Sequence, residues 1–142
     1  MRVISFVSQK GGSGKTTLCF SIGVAAYEAG RKVLMLDLDR QASLRDWYAD
    51  REAEEPEVDT VELPKLEEAL GGLEKLGFDY VFIDTPGKDD PANSKAITLS
   101  DFLVLPRTSS ARPSAIRSRS SLVIAAYPGE PCSYAAPLID AT

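Results

Sequence analysis

Histidine is absent from all 142 residues. That removes imidazole acid–base chemistry, histidine triads and histidine metal ligands together, so any catalysis must run on carboxylates, lysines, hydroxyls and the backbone. Cysteine is nearly as scarce. Cys19 and Cys132 are the only two, too few for a disulfide framework and not spaced as a metal pair, and a reducing cytoplasm fits that usage. Long apolar runs are missing too. The N-terminal run, residues 3–7, stops at Ser8, Gln9 and Lys10, which is shorter than a signal-peptide core or a membrane span. Nothing directs export or membrane binding. Nor is positive charge in excess: the formal net charge is −5, so the chain as a whole exerts no electrostatic pull on nucleic acid.

What remains is the composition of one soluble α/β domain, 44% hydrophobic and 26% charged, too short for two ordinary domains. Residues 3–7 read as a buried parallel strand ended by glycines. From Lys15 to Ala29 the apolar positions Leu18, Ile22, Ala25 and Ala29 fall at helical spacing, with Gly30 as a left-handed stop. Residues 33–36 form a second apolar run that leads into Asp37, Leu38 and Asp39, carboxylates at the end of a strand where open α/β sheets bind ligands. A short helix is expected from Ser43, a suitable N-cap, through Trp47 towards Glu52. A weak strand follows over 58–63, then a helix begun by Pro64, carrying Leu66, Leu70, Leu73 and Leu76 on one face and closed by Gly77. Residues 80–83, ending in Asp84, and residues 102–105 are the third and fourth buried strands. This alternation implies a mostly parallel sheet with helices on its faces.

After Pro106 the character changes. Residues 1–105 hold 12 Lys+Arg against 19 Asp+Glu, net −7, whereas residues 106–142 hold four Arg against Glu130 and Asp140, net +2. The division is therefore a core over 1–106 and an Arg/Ser/Pro/Ala-rich tail over 107–142, in which only residues 116–126 have helical or strand-like apolar content.

The chemistry concentrates in Lys10, Gly11, Gly12, Ser13, Gly14, Lys15, Thr16 and Thr17, set between the first strand and the first helix. A nucleoside triphosphate must lose water around several negative charges, and consecutive backbone N–H groups at a helix N-terminus replace that water when glycines let the backbone come close. In such a loop Lys15 reaches the β- and γ-phosphates and the Thr16 hydroxyl ligates Mg2+. The alternative is a plain glycine turn with an exposed lysine, against which the strand–loop–helix context argues. The carboxylates near such a loop are the available base for phosphoryl transfer. Asp37 and Asp39 are also compatible with a strand-end turn held by loop hydrogen bonds.

The spacing departs from an ordinary Walker A motif, with Gln9 where a glycine is wanted and Lys10 opening the loop. This run resembles the deviant Walker A of the ParA/MinD family of ATPases. Residues 33–39 followed by Arg40, Gln41, Ala42, Ser43 and Leu44 resemble the family's second motif, and residues 80–87 with Asp84, Thr85, Pro86 and Gly87 resemble its Walker B. Arg40 stands where the family often has proline. The resemblance spans roughly residues 1–106 and is nearest to small plasmid-partition ParA proteins. It implies a three-layer P-loop fold, incomplete at its C-terminus, that binds ATP and Mg2+ and hydrolyses ATP weakly. In that reading Lys10 reaches across an ATP-dependent homodimer, Asp84 holds magnesium through water, Asp37 supports that shell and Asp39 orients the attacking water. The implied partners are a second copy, a centromere-binding ParB-like protein and, where a C-terminal part is present, non-specific DNA. No family-like continuation follows Pro106, so the tail is expected to reflect a truncation or a shifted frame. A metabolic ligase or kinase of the same superfamily, a MinD-like membrane-surface regulator and an inactive remnant stand as alternatives. The proline-broken tail offers no amphipathic membrane helix.

Overall fold

The computed structural model describes residues 1–8, 12–39, 43–49, 55–87, 90–108 and 120–126. In chain order the elements are β1 (Arg2–Phe6), α1 (Lys15–Glu28), β2 (Val33–Asp37), α2 (Ser43–Ala49), β3 (Glu57–Thr60), α3 (Leu66–Lys75), β4 (Tyr80–Asp84), α4 (Pro91–Leu99), β5 (Phe102–Thr108) and β6 (Ser120–Ala126). They form one sheet in the order β3-β2-β4-β1-β5-β6. The first five strands in that order run parallel, the arrangement that strand–helix alternation demands. β6 pairs antiparallel with β5, Thr108 opposite Ser120 and Phe102 opposite Ala126. Thus β5 continues past Pro106, and a stretch of the Arg-rich tail adds a strand to the sheet.

The period of two along each strand divides the core between the two faces of the sheet. Val3, Leu34, Leu36, Val81 and Ile83 pack with Leu66 and Leu70 of α3 and Ala96 of α4. Phe6, Val33, Met35, Phe82 and Val104 pack with Cys19 of α1 and Leu44 of α2. Helices therefore cover both faces, giving three layers. The same parity puts Asp37, two residues after Met35, and Asp84, two after Phe82, on the α1 side of the sheet.

The helix expected from Lys15 is α1, whereas Leu76 and the strand expected over 58–63 are corrected. On α1 the buried positions are Lys15, Cys19 and Gly23, while Leu18 and Ile22 are only half-buried and Ala25 and Ala29 are exposed. The reason lies in Gly23: a Cβ there would come within 2.6 Å of Met35 Sδ and 3.2 Å of its Cγ, so the helix backbone lies against β2 along the one line where no side chain intervenes. A Gly23→Val chain is expected to lose about 1–3 kcal/mol through overpacking, read by urea denaturation. Combining it with Met35→Ala should cost less than the sum of the two single changes, because the methionine is what the new side chain meets.

Leu76 is 66% exposed. α3 ends at Lys75, Gly77 turns the chain at φ 78°, and Leu73 and Phe78 complete the apolar face instead. β3 covers Glu57–Thr60, because β2, its partner, ends where Asp37 meets Thr60, and a 3-10 turn over Leu63–Lys65 leads into α3. α4 has a start signal in Asp90 and Pro91: Asp90 Oδ1 accepts from the Ala92 N–H at 2.8 Å, and proline fills the first turn. No helix among the described residues is long and apolar enough to cross a membrane.

Candidate functional site: a glycine loop facing two strand-end aspartates

β1 and β4 are neighbours with Phe6 opposite Asp84, and β4 and β2 are neighbours with Asp84 opposite Asp37. The strands that end at the glycine loop and at both acidic turns therefore deliver them to one edge. This is the carboxyl edge of a parallel sheet, where ligands bind in open α/β folds.

Gly12 and Gly14 adopt φ of 69° and 83°, left-handed values that are costly for residues with a Cβ. Gly14 is the N-cap of α1, with no side-chain cap and no acidic residue in the first turn. The N–H groups and positive dipole end of α1 thus meet no negative side chain of their own helix, the condition for receiving an external anion. Ser13 is buried, and its Oγ meets no partner among the described residues. Lys15, the first residue of α1, is only 6% exposed, and its charge favours the ionised form of Asp84. Thr17 is exposed on the outer side of the helix. Lys10 and Gly11 lie outside the described residues, as do Arg40, Gln41 and Ala42.

Thr16 Oγ1 donates to Asp84 Oδ2 at 2.6 Å. The other carboxylate oxygen, Oδ1, is buried and has no hydrogen-bond partner among the described residues. Burial, first of all, with the nearby charges of Asp37 and Asp39, pushes the Asp84 carboxyl up to about 6, against the opposing effects of the Thr16 bond and Lys15. An acceptor whose carboxyl is still raised despite Lys15 is under-compensated for its burial. Among the described residues no three His, Cys, Asp or Glu side chains converge as a cation cage. A hydroxyl beside one carboxylate with a spare oxygen suits Mg2+, which binds through one or two protein groups and keeps water and phosphate as its other ligands.

Asp37 differs from Asp84. Its Oδ1 accepts from the Asp39 N–H at 2.9 Å, and its Oδ2 accepts from the N–H groups of Leu44 at 3.1 Å and Arg45 at 3.2 Å. Burial raises its carboxyl above the usual range, and the three backbone donors work the other way. Asp37 therefore caps the first turn of α2 from a distance; the side chain of Ser43, the N-cap expected from the sequence, lies outside the described residues. Asp39 lies close enough to add its charge to both neighbouring carboxylates.

Two further groups support the site without having been given a role from the sequence. Thr85 is buried and donates to the Phe6 carbonyl at 2.7 Å, tying the turn after β4 to the strand that leads into the glycine loop. Cys19 lies fully buried behind the loop, its thiol raised by burial and by the charges of Asp84 and Asp37. Thr85 sits within the Asp84-Thr85-Pro86-Gly87 motif. Cys19 carries no signal beyond its helical position.

Comparison with known proteins places this geometry. The family model described as VirC1 protein matches residues 1–113. Protein virC1 of Rhizobium radiobacter is 33% identical over 114 residues, which are 75% of this chain and 48% of that protein; the chain thus spans about half the length of the curated relatives it matches. Among solved structures, a plasmid partition protein from Borrelia burgdorferi superposes with a TM-score of 0.61 at 23% identity, covering 77% of this chain and 66% of the other. Cobyrinic acid a,c-diamide synthase from Mycobacterium smegmatis, solved with bound ADP and magnesium, superposes with a TM-score of 0.58 at 26% identity, covering 75% and 59%. The match over residues 1–113 takes in the glycine loop and both acidic turns, and on it the chain belongs to the VirC1 protein family and, with that family, to the ParA/MinD-type P-loop ATPases.

Proposed function

We propose that this chain is the nucleotide-binding part of a ParA-like switch that binds ATP with Mg2+, hydrolyses it slowly and pairs with a second copy while ATP is bound. The observation that carries the proposal is the Thr16–Asp84 pair, 2.6 Å apart, with the second Asp84 oxygen buried and without a partner among the described residues at the N-terminus of α1. The backbone N–H groups of residues 11–17 and the Lys15 ammonium would take the phosphates. Thr16 and Asp84 would hold Mg2+, with Asp37 supporting that shell from the next strand. When bound, the ion neutralises charge on the phosphate oxygens. Lys10 would complete the site across the dimer, and Asp39 would hold a water in line with the γ-phosphate.

Relatives support the direction of the reading: the Borrelia structure is a plasmid partition protein, and the diamide synthase holds ADP and magnesium. Plasmid or chromosome partition with a ParB-like, centromere-binding partner is the proposed role, in the cytoplasm and without a membrane step. Contact with non-specific DNA is assigned to a C-terminal part. The 26% identity to the diamide synthase favours, as a second reading, a metabolic ligase of the same superfamily. ATP-dependent dimerisation distinguishes the switch, and substrate-stimulated phosphate transfer distinguishes the ligase.

The direct test is equilibrium titration of the purified chain with a fluorescent ATP analogue, with and without Mg2+. Saturable binding that Mg2+ strengthens is expected, and its absence overturns the proposal. A companion variant, Asp39→Ala, is expected to bind ATP within about threefold of the native chain while phosphate release slows about 100-fold or more, the usual scale for a lost general base. Equal losses in binding and hydrolysis would make Asp39 a structural residue, and unchanged hydrolysis would remove it from the chemistry.

A further inference from the structure

We infer that Asp37 is a positioning residue that clasps the loop carrying Asp39, and that the magnesium-binding carboxylate is Asp84 alone. The Asp37 carboxylate is buried at the last residue of β2. It takes one backbone N–H from the start of the loop over residues 38–42, that of Asp39, and two from the first turn of α2 just beyond it, those of Leu44 and Arg45. One side chain thus ties both ends of the loop together. Each end is also fixed to the core. The Leu38 N–H donates to the Asp84 carbonyl at 3.0 Å, and Leu44 is fully buried among Phe6, Cys19, Met35 and Phe82.

Backbone bonds to an ionised carboxylate are strong, and a cation drawing on the same oxygens would compete with three of them. Asp84 offers no such competition, since its Oδ1 has no partner among the described residues. The clasp explains why two carboxylates on facing register positions differ in chemistry: one holds the backbone that presents Asp39, and the other keeps an oxygen for an ion. The purpose given to the loop rests on the nucleotide-site reading above, whereas the clasp itself does not.

Asp37→Asn preserves size but turns one acceptor into an NH2 group facing N–H donors. In the nucleotide-free chain, amide exchange at Asp39, Leu44 and Arg45 is expected to accelerate about tenfold or more while β1 and β4 keep their protection. Unchanged exchange at those three amides overturns the clasp. With a fluorescent ADP analogue, the Mg2+ concentration for half-maximal binding should stay within about twofold of native in Asp37→Asn and rise about tenfold or more in Asp84→Asn. An equal rise in both makes Asp37 a metal ligand and overturns the inference. In turnover, Asp37→Asn should lower kcat, yet lower it no further in an Asp39→Ala background, because both changes act through one carboxylate; additive losses overturn the positioning role. If the native chain binds no nucleotide, the nucleotide-site reading fails, and amide exchange still decides the clasp. If the asparagine loosens β1 and β4 as well, Asp37→Ser, which keeps a single acceptor, takes its place with the same expected pattern.

Discussion

A Lys15→Ala chain is expected to bind ATP about 100-fold or more weakly than the native chain while remaining folded. Lys15 heads α1 at the point where the helix N–H groups point outwards, and its ammonium favours the ionised form of Asp84. Charge-assisted bonds contribute about 1.5–3 kcal/mol each, and two of them, to adjacent phosphates, correspond to roughly 100-fold to 10,000-fold in affinity. The fold does not depend on this charge in the same way. A lysine at 6% exposure is itself expensive to bury, so alanine removes a desolvation cost along with an attraction for Asp84. Binding and stability should therefore separate, the first falling steeply and the second moving by no more than about 1–2 kcal/mol. Titration with a fluorescent ATP analogue, beside urea denaturation of the same preparations, reads both. Unchanged affinity would place the nucleotide somewhere other than the glycine loop.

That prediction could be framed from the sequence because the signals around the loop are local. A glycine run between a β-branched run and a helical pattern specifies strand, loop and helix within 30 residues, and Gly30 at φ 79° and Gly77 at φ 78° end their helices where the sequence placed the stops. The adjacency of β1 and β4, with Phe6 opposite Asp84, answers a different requirement, that both strands present groups to one centre. Features set by tertiary packing were not legible. The buried line on α1 runs through a glycine and a lysine, residue types that hydropathy does not mark as core, because its cause is the sulfur of Met35 on another element. Asp37 caps α2 from seven residues before Leu44, outside the window in which cap signals are read. β6 joins antiparallel at the edge of the sheet, and strand–helix alternation carries no information about an element added after the alternation has stopped.

Asp84→Asn is expected to move function and stability in opposite directions. In the nucleotide-free chain at pH 7 the native carboxylate is ionised although burial and two neighbouring carboxylates have pushed it up to about 6 from 3.8. At about 1.4 kcal/mol per unit, holding that charge costs the folded chain on the order of 3 kcal/mol. The folded state therefore keeps a proton that the unfolded chain has already released, and stability falls as pH rises from about 4 to about 6. An asparagine removes the charge and can still accept from the Thr16 hydroxyl, while its NH2 enters a place where Oδ1 had no partner among the described residues. The net gain at pH 7 is expected to be about 1–3 kcal/mol, and the decline between pH 4 and pH 6 should flatten. Urea denaturation at a series of pH values measures both effects. Mg2+-dependent tightening of nucleotide binding should meanwhile be lost, since a neutral amide does not replace a carboxylate beside a hard divalent cation. A carboxylate held at this cost is the stability that a metal site trades for function. If the asparagine chain were less stable than native at pH 7, the Asp84 charge would be satisfied within the fold itself. The Thr16–Asp84 pair would then be a structural contact and would no longer carry the proposed nucleotide site.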